Sequence, residues 1–168
     1  MPTAATNKKL WKFYKQYRRE LFTYALSITR NRARAEDALL AVAQQNGKVA
    51  NVKTYVFRTI RNSALKEIKN AKTSGSLDEL GPDSFLQAPP QNRPDRQCQE
   101  REMGQMIARA LETIPAEQKE TIVLRVYSRL KFRTIAQILH EPLGTITTRY
   151  RRGLAALAEL LKEHVDEP

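Results

Sequence analysis

The stretch that most restricts this chain is residues 131–161, KFRTIAQILHEPLGTITTRYRRGLAALAELL, where two helical periodicities flank a proline and a glycine. Phe132, Ile135, Ala136, Ile138 and Leu139 recur on one helical face. Pro142 lacks an amide donor and its ring clashes with the preceding turn, so it stops that helix. Gly144 and Thr145 open the next one, with the threonine hydroxyl placed to cap free amides. In the second helix Ile146, Tyr150, Leu154, Leu157 and Leu161 are expected to face inward. Thr147, Thr148, Arg149, Arg151 and Arg152 are then left on the outer side.

Such an outer face suits the major groove of DNA. Hydroxyls and guanidiniums donate to phosphates, and an arginine bonds guanine bidentately. A helix-turn-helix sets the N-terminal end of its second helix against base edges, and these five residues cluster there. Spacing alone equally allows an ordinary helical hairpin with a solvated basic face.

The charge distribution supports a polyanionic partner. The chain has 168 residues and a net charge of +11. Residues 1–72 carry 16 basic and 4 acidic side chains, a balance of +12. Residues 73–98 balance at −2 and residues 99–168 at +1. Nucleic acid is the natural partner of the first part; an acidic membrane surface would require large exposed apolar groups that the helices need for a core.

Three helices are expected in that basic part. Leu10, Phe13, Tyr17, Leu21, Tyr24 and Ile28 line a long amphipathic first helix whose other face carries Lys8, Lys9, Lys12, Lys15, Arg18 and Arg19. Trp11 belongs either to the core or to a contact surface. A second helix spans about 33–45, with Ala35, Ala38, Leu39 and Val42 inward, and Asn46-Gly47 ends it. Asn51 caps a third that runs to about Lys72 on Val52, Val56, Phe57, Ile60, Ala64 and Ile68.

Residues 73–98 form the one clear shift in composition, rich in proline, glycine and polar groups, and read as an extended connection. Leu77, Leu80, Phe85 and Leu86 are its apolar anchors. From Gln99 the helical pattern resumes through Met103, Met106, Ile107, Ala110 and Leu111, with the methionines as core filling. The next helix, 117–130, is expected to bury Ile122, Val123 and Val126.

Catalytic patterns are missing from the sequence. It has no phosphate-binding glycine loop, no His-Glu-x-x-His and no paired cysteines for zinc, so neither an enzyme nor a cofactor or metal site is expected. The adjacent carboxylates Glu36 and Asp37 point apart on a helix and make a poor acid–base pair. No run of about 18 apolar residues and no apolar signal core occurs, which together with the single Cys98 leads us to expect a cytoplasmic protein.

Several of these segments carry a resemblance. The segment EPLGTITTRYRRGLAAL resembles the promoter-reading domain of bacterial sigma factors of the extracytoplasmic-function (ECF) group, matching at Pro142, Gly144, Thr145, Arg149 and Arg152. Gly153 stands where that family usually has alanine. Ile114-Pro115 with Glu117-Gln118-Lys119 is similar to the opening of the same domain, and Ile135-Ala136 to its helical core. Upstream, Ala35-Glu36-Asp37 and Tyr55-Val56-Phe57-Arg58-Thr59-Ile60-Arg61-Asn62 resemble two motifs of the family's first domain.

The resemblance implies an all-α fold: two small helical domains, residues 1–72 and 99–168, joined by the extended linker 73–98, the second with the helix-turn-helix. It implies an alternative sigma factor that binds core RNA polymerase through the β′ clamp helices and the β flap, recognises promoter DNA, and is masked by an anti-sigma protein. No small-molecule substrate and no membrane insertion are implied. Carried over by position, Lys131, Arg133, Thr145, Thr147, Thr148, Arg149, Arg151 and Arg152 would meet the −35 element. Lys53, Tyr55, Arg58, Arg61 and Asn62 would lie near the −10 strand, and Glu36, Asp37 and Leu40 would meet β′.

The first domain also departs from the family. Leu40, Ala41 and Ala43 replace a Gln-Glu pair and a phenylalanine, Tyr55 replaces a tryptophan, and Lys66 an aspartate. Segment 44–52 is shorter than the family's and lacks its aromatics, which matters because base flipping is normally offset by stacking in a fitted pocket. Two other readings therefore stay open: a helix-turn-helix regulator without promoter melting, and a basic helical adaptor for RNA.

Overall fold

In the computed structural model, backbone is described for residues 4–44, 49–75 and 94–165, and side chains for 8–44, 49–75 and 99–163. Every regular element among the described residues is helical. Helix α1 spans Ala4–Thr29 and is kinked at Tyr17, where the backbone leaves helical geometry (φ −111°, ψ 16°). Helix α2, Arg32–Ala43, starts at Asn31, whose side-chain oxygen accepts the Arg34 N–H at 3.0 Å. Asn51 does the same for α3, Val52–Ser74, accepting from Thr54 N–H at 3.2 Å. Both asparagines satisfy one of the amides that a helix start leaves free. Gly75, left-handed at φ 69°, closes α3, a conformation that costs a residue without Cβ little.

Helices α1–α3 pack on one another through the apolar faces expected of them. Leu21, Tyr24, Ala35, Ala38, Leu39, Val42, Val56, Phe57, Ile60 and Ala64 are all buried. Phe57 is core, with its ring 5.6 Å from that of Tyr24. Trp11 is 51% exposed and stacks on Tyr14 at 5.5 Å, so it belongs to the surface.

The second half comprises α4 (Pro94–Thr113), α5 (Ala116–Ile122), a π-helical turn (Val123–Tyr127), α6 (Phe132–Leu139) and α7 (Leu143–Val165). Helix α3 runs two residues and α4 begins five residues into the segment expected to be non-helical. Proline is favoured at the first helical position, where its missing N–H has no intrahelical use, so Pro94 starts α4 rather than breaking it. The apolar anchors of the linker and the Asn46-Gly47 stop lie outside the described residues, and so does the Cys98 side chain.

Three side chains expected inside this half lie at the surface. Val126 is exposed because the π turn, closed by Ser128 N–H on Val123 C=O at 3.1 Å, adds a residue to the turn and resets the helical register. Leu154 is exposed because Gly153 takes its place on the inner face of α7, in the series Ile146, Tyr150, Gly153, Leu157. Met103 is exposed, and the small Ala108 and Ala110 with Leu111 fill the α4 contact instead.

The two halves share one contiguous core, with α3 packed on α6 and α1 on the π turn. No helix among the described residues is long and apolar enough to cross a membrane.

Candidate nucleic-acid interface

The helix-turn-helix is built on α6 and α7. Ile135, Ile138 and Leu139 are buried and fix one face of α6. The chain then turns at His140, which is left-handed (φ 54°), and Glu141 N–H donates back to Ala136 C=O at 3.1 Å. This six-to-one bond satisfies one of the free carbonyls at the end of α6. The bend therefore comes from His140 and Glu141, and α7 begins at Leu143. Thr145, expected to cap α7, lies inside its first turn.

Three contacts hold α7 in place. Ile146 and Leu157 are buried, Tyr150 meets Phe132 edge-on at 5.2 Å, and Gly153 lies against α5. A Cβ at position 153 would stand 3.2 Å from Gln118 Cβ and 2.7 Å from Ile122 Cδ1, so the approach of α7 to α5 depends on glycine. Arg125, not singled out by its sequence, braces the loop before α6. Its guanidinium donates to Leu130 C=O at 2.9 Å and lies 4.7 Å from the centre of the Phe132 ring.

With that anchoring, Thr147, Arg151 and Arg152 are exposed on α7, and Lys131 and Arg133 are exposed at the head of α6. Thr145 and Thr148 are half-buried. Arg149 differs from its neighbours: its Nη2 donates to Glu141 Oε1 at 2.9 Å, so a carboxylate at the turn holds this guanidinium. The structure thus gathers the proposed −35 residues on one end of two adjoining helices.

The proposed −10 residues on α3 are not gathered on an open face. Asn62 is exposed, and Tyr55 and Lys53 are half-buried, with the Lys53 ammonium 5.9 Å from the Tyr17 ring. Arg58 donates through Nε at 3.0 Å, and also through Nη2, to the backbone C=O of Gln137 on α6. Arg61 donates through Nε at 2.8 Å and Nη2 at 3.4 Å to the two oxygens of Glu120 on α5. Tyr24 O–H completes that cluster by donating to Glu120 Oε1 at 2.8 Å.

The environment biases both donors toward their protonated forms. Burial, reinforced by the Glu120 carboxylate, pushes the Tyr24 phenol well above its ordinary value. Burial opposes the charge on Arg61, but the bonds and charge of Glu120 outweigh it, and the guanidinium titrates above its usual value. Glu120 itself has no distinctive sequence context, which is why composition and periodicity did not mark it.

Glu36, Asp37 and Leu40 are exposed on α2, Leu40 by 56%. They border an open groove of about 610 Å³ between α1 and α2, where Lys15, Arg18, Arg19 and Arg32 surround Phe22 and Leu39. The basic face expected of α1 thus becomes one wall of a groove. Among the described residues no group of three or more His, Cys, Asp or Glu side chains could hold a metal ion.

Residues 104–157 match the family model described as Sigma-70, region 4, a span that runs from α4 through the helix-turn-helix. None of the curated proteins matches the chain significantly. Among solved structures the chain is similar to the sigma factor RpoE of Bartonella quintana, which was crystallised in complex with the anti-sigma factor NepR. Sequence identity is 25% and the TM-score 0.63, with 93% of this chain and 99% of that one covered.

Proposed function

This chain is a sigma factor of the ECF group, an alternative sigma factor that directs transcription initiation, and we propose that it does so by reading an upstream promoter element with the outer face of α7. The observation that supports this reading most is the exposure of Arg151 and Arg152, with Thr147, on a helix whose opposite side is fixed by Ile146, Gly153 and Leu157. A rigidly seated helix can offer guanidiniums to base edges at a defined angle, and a bidentate contact discriminates bases by about 1–3 kcal/mol. Lys131 and Arg133 at the start of α6, with Thr145, Thr148 and Arg149, would position the motif on the phosphates.

The N-terminal helices would supply the polymerase contact and the downstream element. Glu36, Asp37 and Leu40 form an exposed, partly apolar edge of α2, suited to a helical surface of the polymerase. Lys53, Tyr55, Arg58, Arg61 and Asn62 are the groups on α3 that would meet a DNA strand. We divide the chain accordingly into a polymerase and −10 unit at 1–72, a linker, and a −35 unit at 99–168. The role is one of binding rather than catalysis, in the compartment that holds the polymerase. An anti-sigma protein of the kind that accompanies RpoE is the expected negative partner.

The deciding experiment is reconstitution with core RNA polymerase on a randomised promoter library. Run-off transcripts should depend on the chain and share an upstream sequence. A chain that binds duplex DNA selectively yet yields no transcript would instead be a regulator without melting activity, a reading that the loss of aromatics in 44–52 favours.

A further inference from the structure

Arg58 and Arg61 are the two guanidiniums on α3 that this sigma-factor reading assigns to a DNA strand, and both are bonded across the molecule. Their acceptors are chemically close to a phosphodiester. Glu120 presents two anionic oxygens to Arg61, at 2.8 and 3.4 Å. Gln137 presents a carbonyl from the last turn of α6, where helix carbonyls lack intrahelical donors and the helix dipole is negative. Arg58 therefore acts as a C-terminal cap for the first helix of the helix-turn-helix. Thr54 Oγ1, 3.4 Å from Gln137 Oε1, adds a third link on the same helix pair. Tyr24 O–H, fully buried in the N-terminal core, supplies the fourth by donating to Glu120.

We propose that Glu120 and the Gln137 carbonyl are internal substitutes for a nucleic-acid backbone, that they hold the chain in a closed form, and that α3 takes a DNA strand only after this contact opens. The inference rests on the assignment of Arg58 and Arg61 to the strand. The same donors cannot serve both partners: a guanidinium spent on Glu120 has to be released before it meets a phosphate. Opening exchanges charge-assisted bonds for bonds to solvent or nucleic acid, so the two forms differ by a small free energy that a single side chain can shift. The contact is also divided between the halves, since α1 and α3 hold the donors and α5 and α6 the acceptors. Any ligand that binds only the separated halves would drive the change by its difference in affinity for the two forms.

The test uses the full chain with Cys98 replaced by serine and with donor and acceptor dyes on cysteines introduced at the exposed positions Ala43 and Ala158. Tyr24→Phe keeps the core ring and every charge and removes one of the four links. Glu120→Ala removes the acceptor of two donors. Energy transfer between the dyes is measured, together with affinity for an oligothymidylate of about 20 nucleotides, a sequence-neutral strand. Tyr24→Phe should lower energy transfer and raise strand affinity about fivefold, and Glu120→Ala about tenfold or more. Because Tyr24→Phe leaves net charge unaltered, its gain cannot come from a change in overall electrostatics. Unchanged energy transfer in both variants overturns the closed form, and reduced transfer without a gain in strand affinity overturns its masking of α3. Failure of the sigma-factor reading is seen elsewhere, as the absence of run-off transcripts from the wild type and the opened variants alike.

Discussion

Two helices of this chain carry arginines at helical spacing opposite an apolar face, and the structure uses them in opposite ways. On α7, Arg151 and Arg152 stand in solvent, whereas on α3, Arg58 and Arg61 are bonded to the other half of the molecule. The local patterns are alike. What separates them is the group lying across the gap: Glu120 and a helix-terminal carbonyl opposite α3, and only the turn residue Glu141, holding Arg149, next to α7. Helical periodicity shows which side of a helix is polar. Whether that side meets water depends on a residue about 60 positions away in sequence, as Arg61 and Glu120 illustrate.

The strongest way to break the contrast is to unseat α7. Gly153→Leu forces a branched side chain into a space where even a Cβ would approach Gln118 Cβ to 3.2 Å. Overpacking of this kind costs about 1–3 kcal/mol, with loss of the fixed presentation of Arg151 and Arg152. A urea titration should show the drop in midpoint, and selective duplex binding should fall with it. Gly153→Ala is expected near neutrality, since the nearest atom is the movable end of Ile122 and a helix-interior alanine gains about 1 kcal/mol over glycine. A fully stable Gly153→Leu would mean that α7 is not seated by this contact.

Next in size is selectivity itself. Arg152→Ala should cost about 1–3 kcal/mol on a duplex selected from the promoter library and much less on a random duplex. Arg149→Ala should lose less than Arg152→Ala, because Glu141 already occupies part of its guanidinium. Arg58→Ala should leave duplex selectivity intact. Competition binding at one fixed salt concentration distinguishes the three, and equal losses on both duplexes would remove α7 from base reading.

Alkaline pH tests the buried side of the comparison. Burial pushes the Tyr127 phenol up to about 12, and Tyr24 is raised further by burial and by Glu120. An unfolded tyrosine ionises near pH 10, so both groups contribute stability that is complete below about pH 10 and is lost as pH rises toward 12 and above. Thermal midpoints should fall over that window, and Tyr127→Phe should flatten the decline. A decline unaltered by Tyr127→Phe would show that the phenol is equally solvated in the folded and unfolded chain.

The contrast also marks what could be read from the residues. Asn31 and Asn51 as caps, the inward faces of α2 and α3, and a two-helix motif with Arg151 and Arg152 outside all follow from local chemistry, and the structure has them. Val126 and Leu154 were misplaced because a π turn and a glycine contact shift register by one residue, and periodicity assumes an unbroken 3.6-residue repeat. The start of α4 was placed late because proline reads as a breaker in sequence, although it is compatible with a first helical position. The engagement of Arg58 and Arg61 was illegible for a deeper reason: it is a property of two faces meeting, and neither face announces its partner.

The smallest expected effect sharpens the same point. Lys69 is exposed near the end of α3, on the stretch of that helix beyond Arg61, and its ammonium is a flexible point charge. If it meets nucleic acid, it does so at a phosphate, by displacing a condensed counterion. Lys69→Ala should then weaken binding to every sequence alike and reduce the slope of log affinity against log salt by about one. Arg61→Ala measured in the same way on duplex DNA should leave that slope unchanged while the closed form persists, because its charge is already balanced by Glu120. A salt slope that falls for Arg61→Ala and not for Lys69→Ala would reverse the assignment, making Arg61 a free phosphate contact and Lys69 a solvated one.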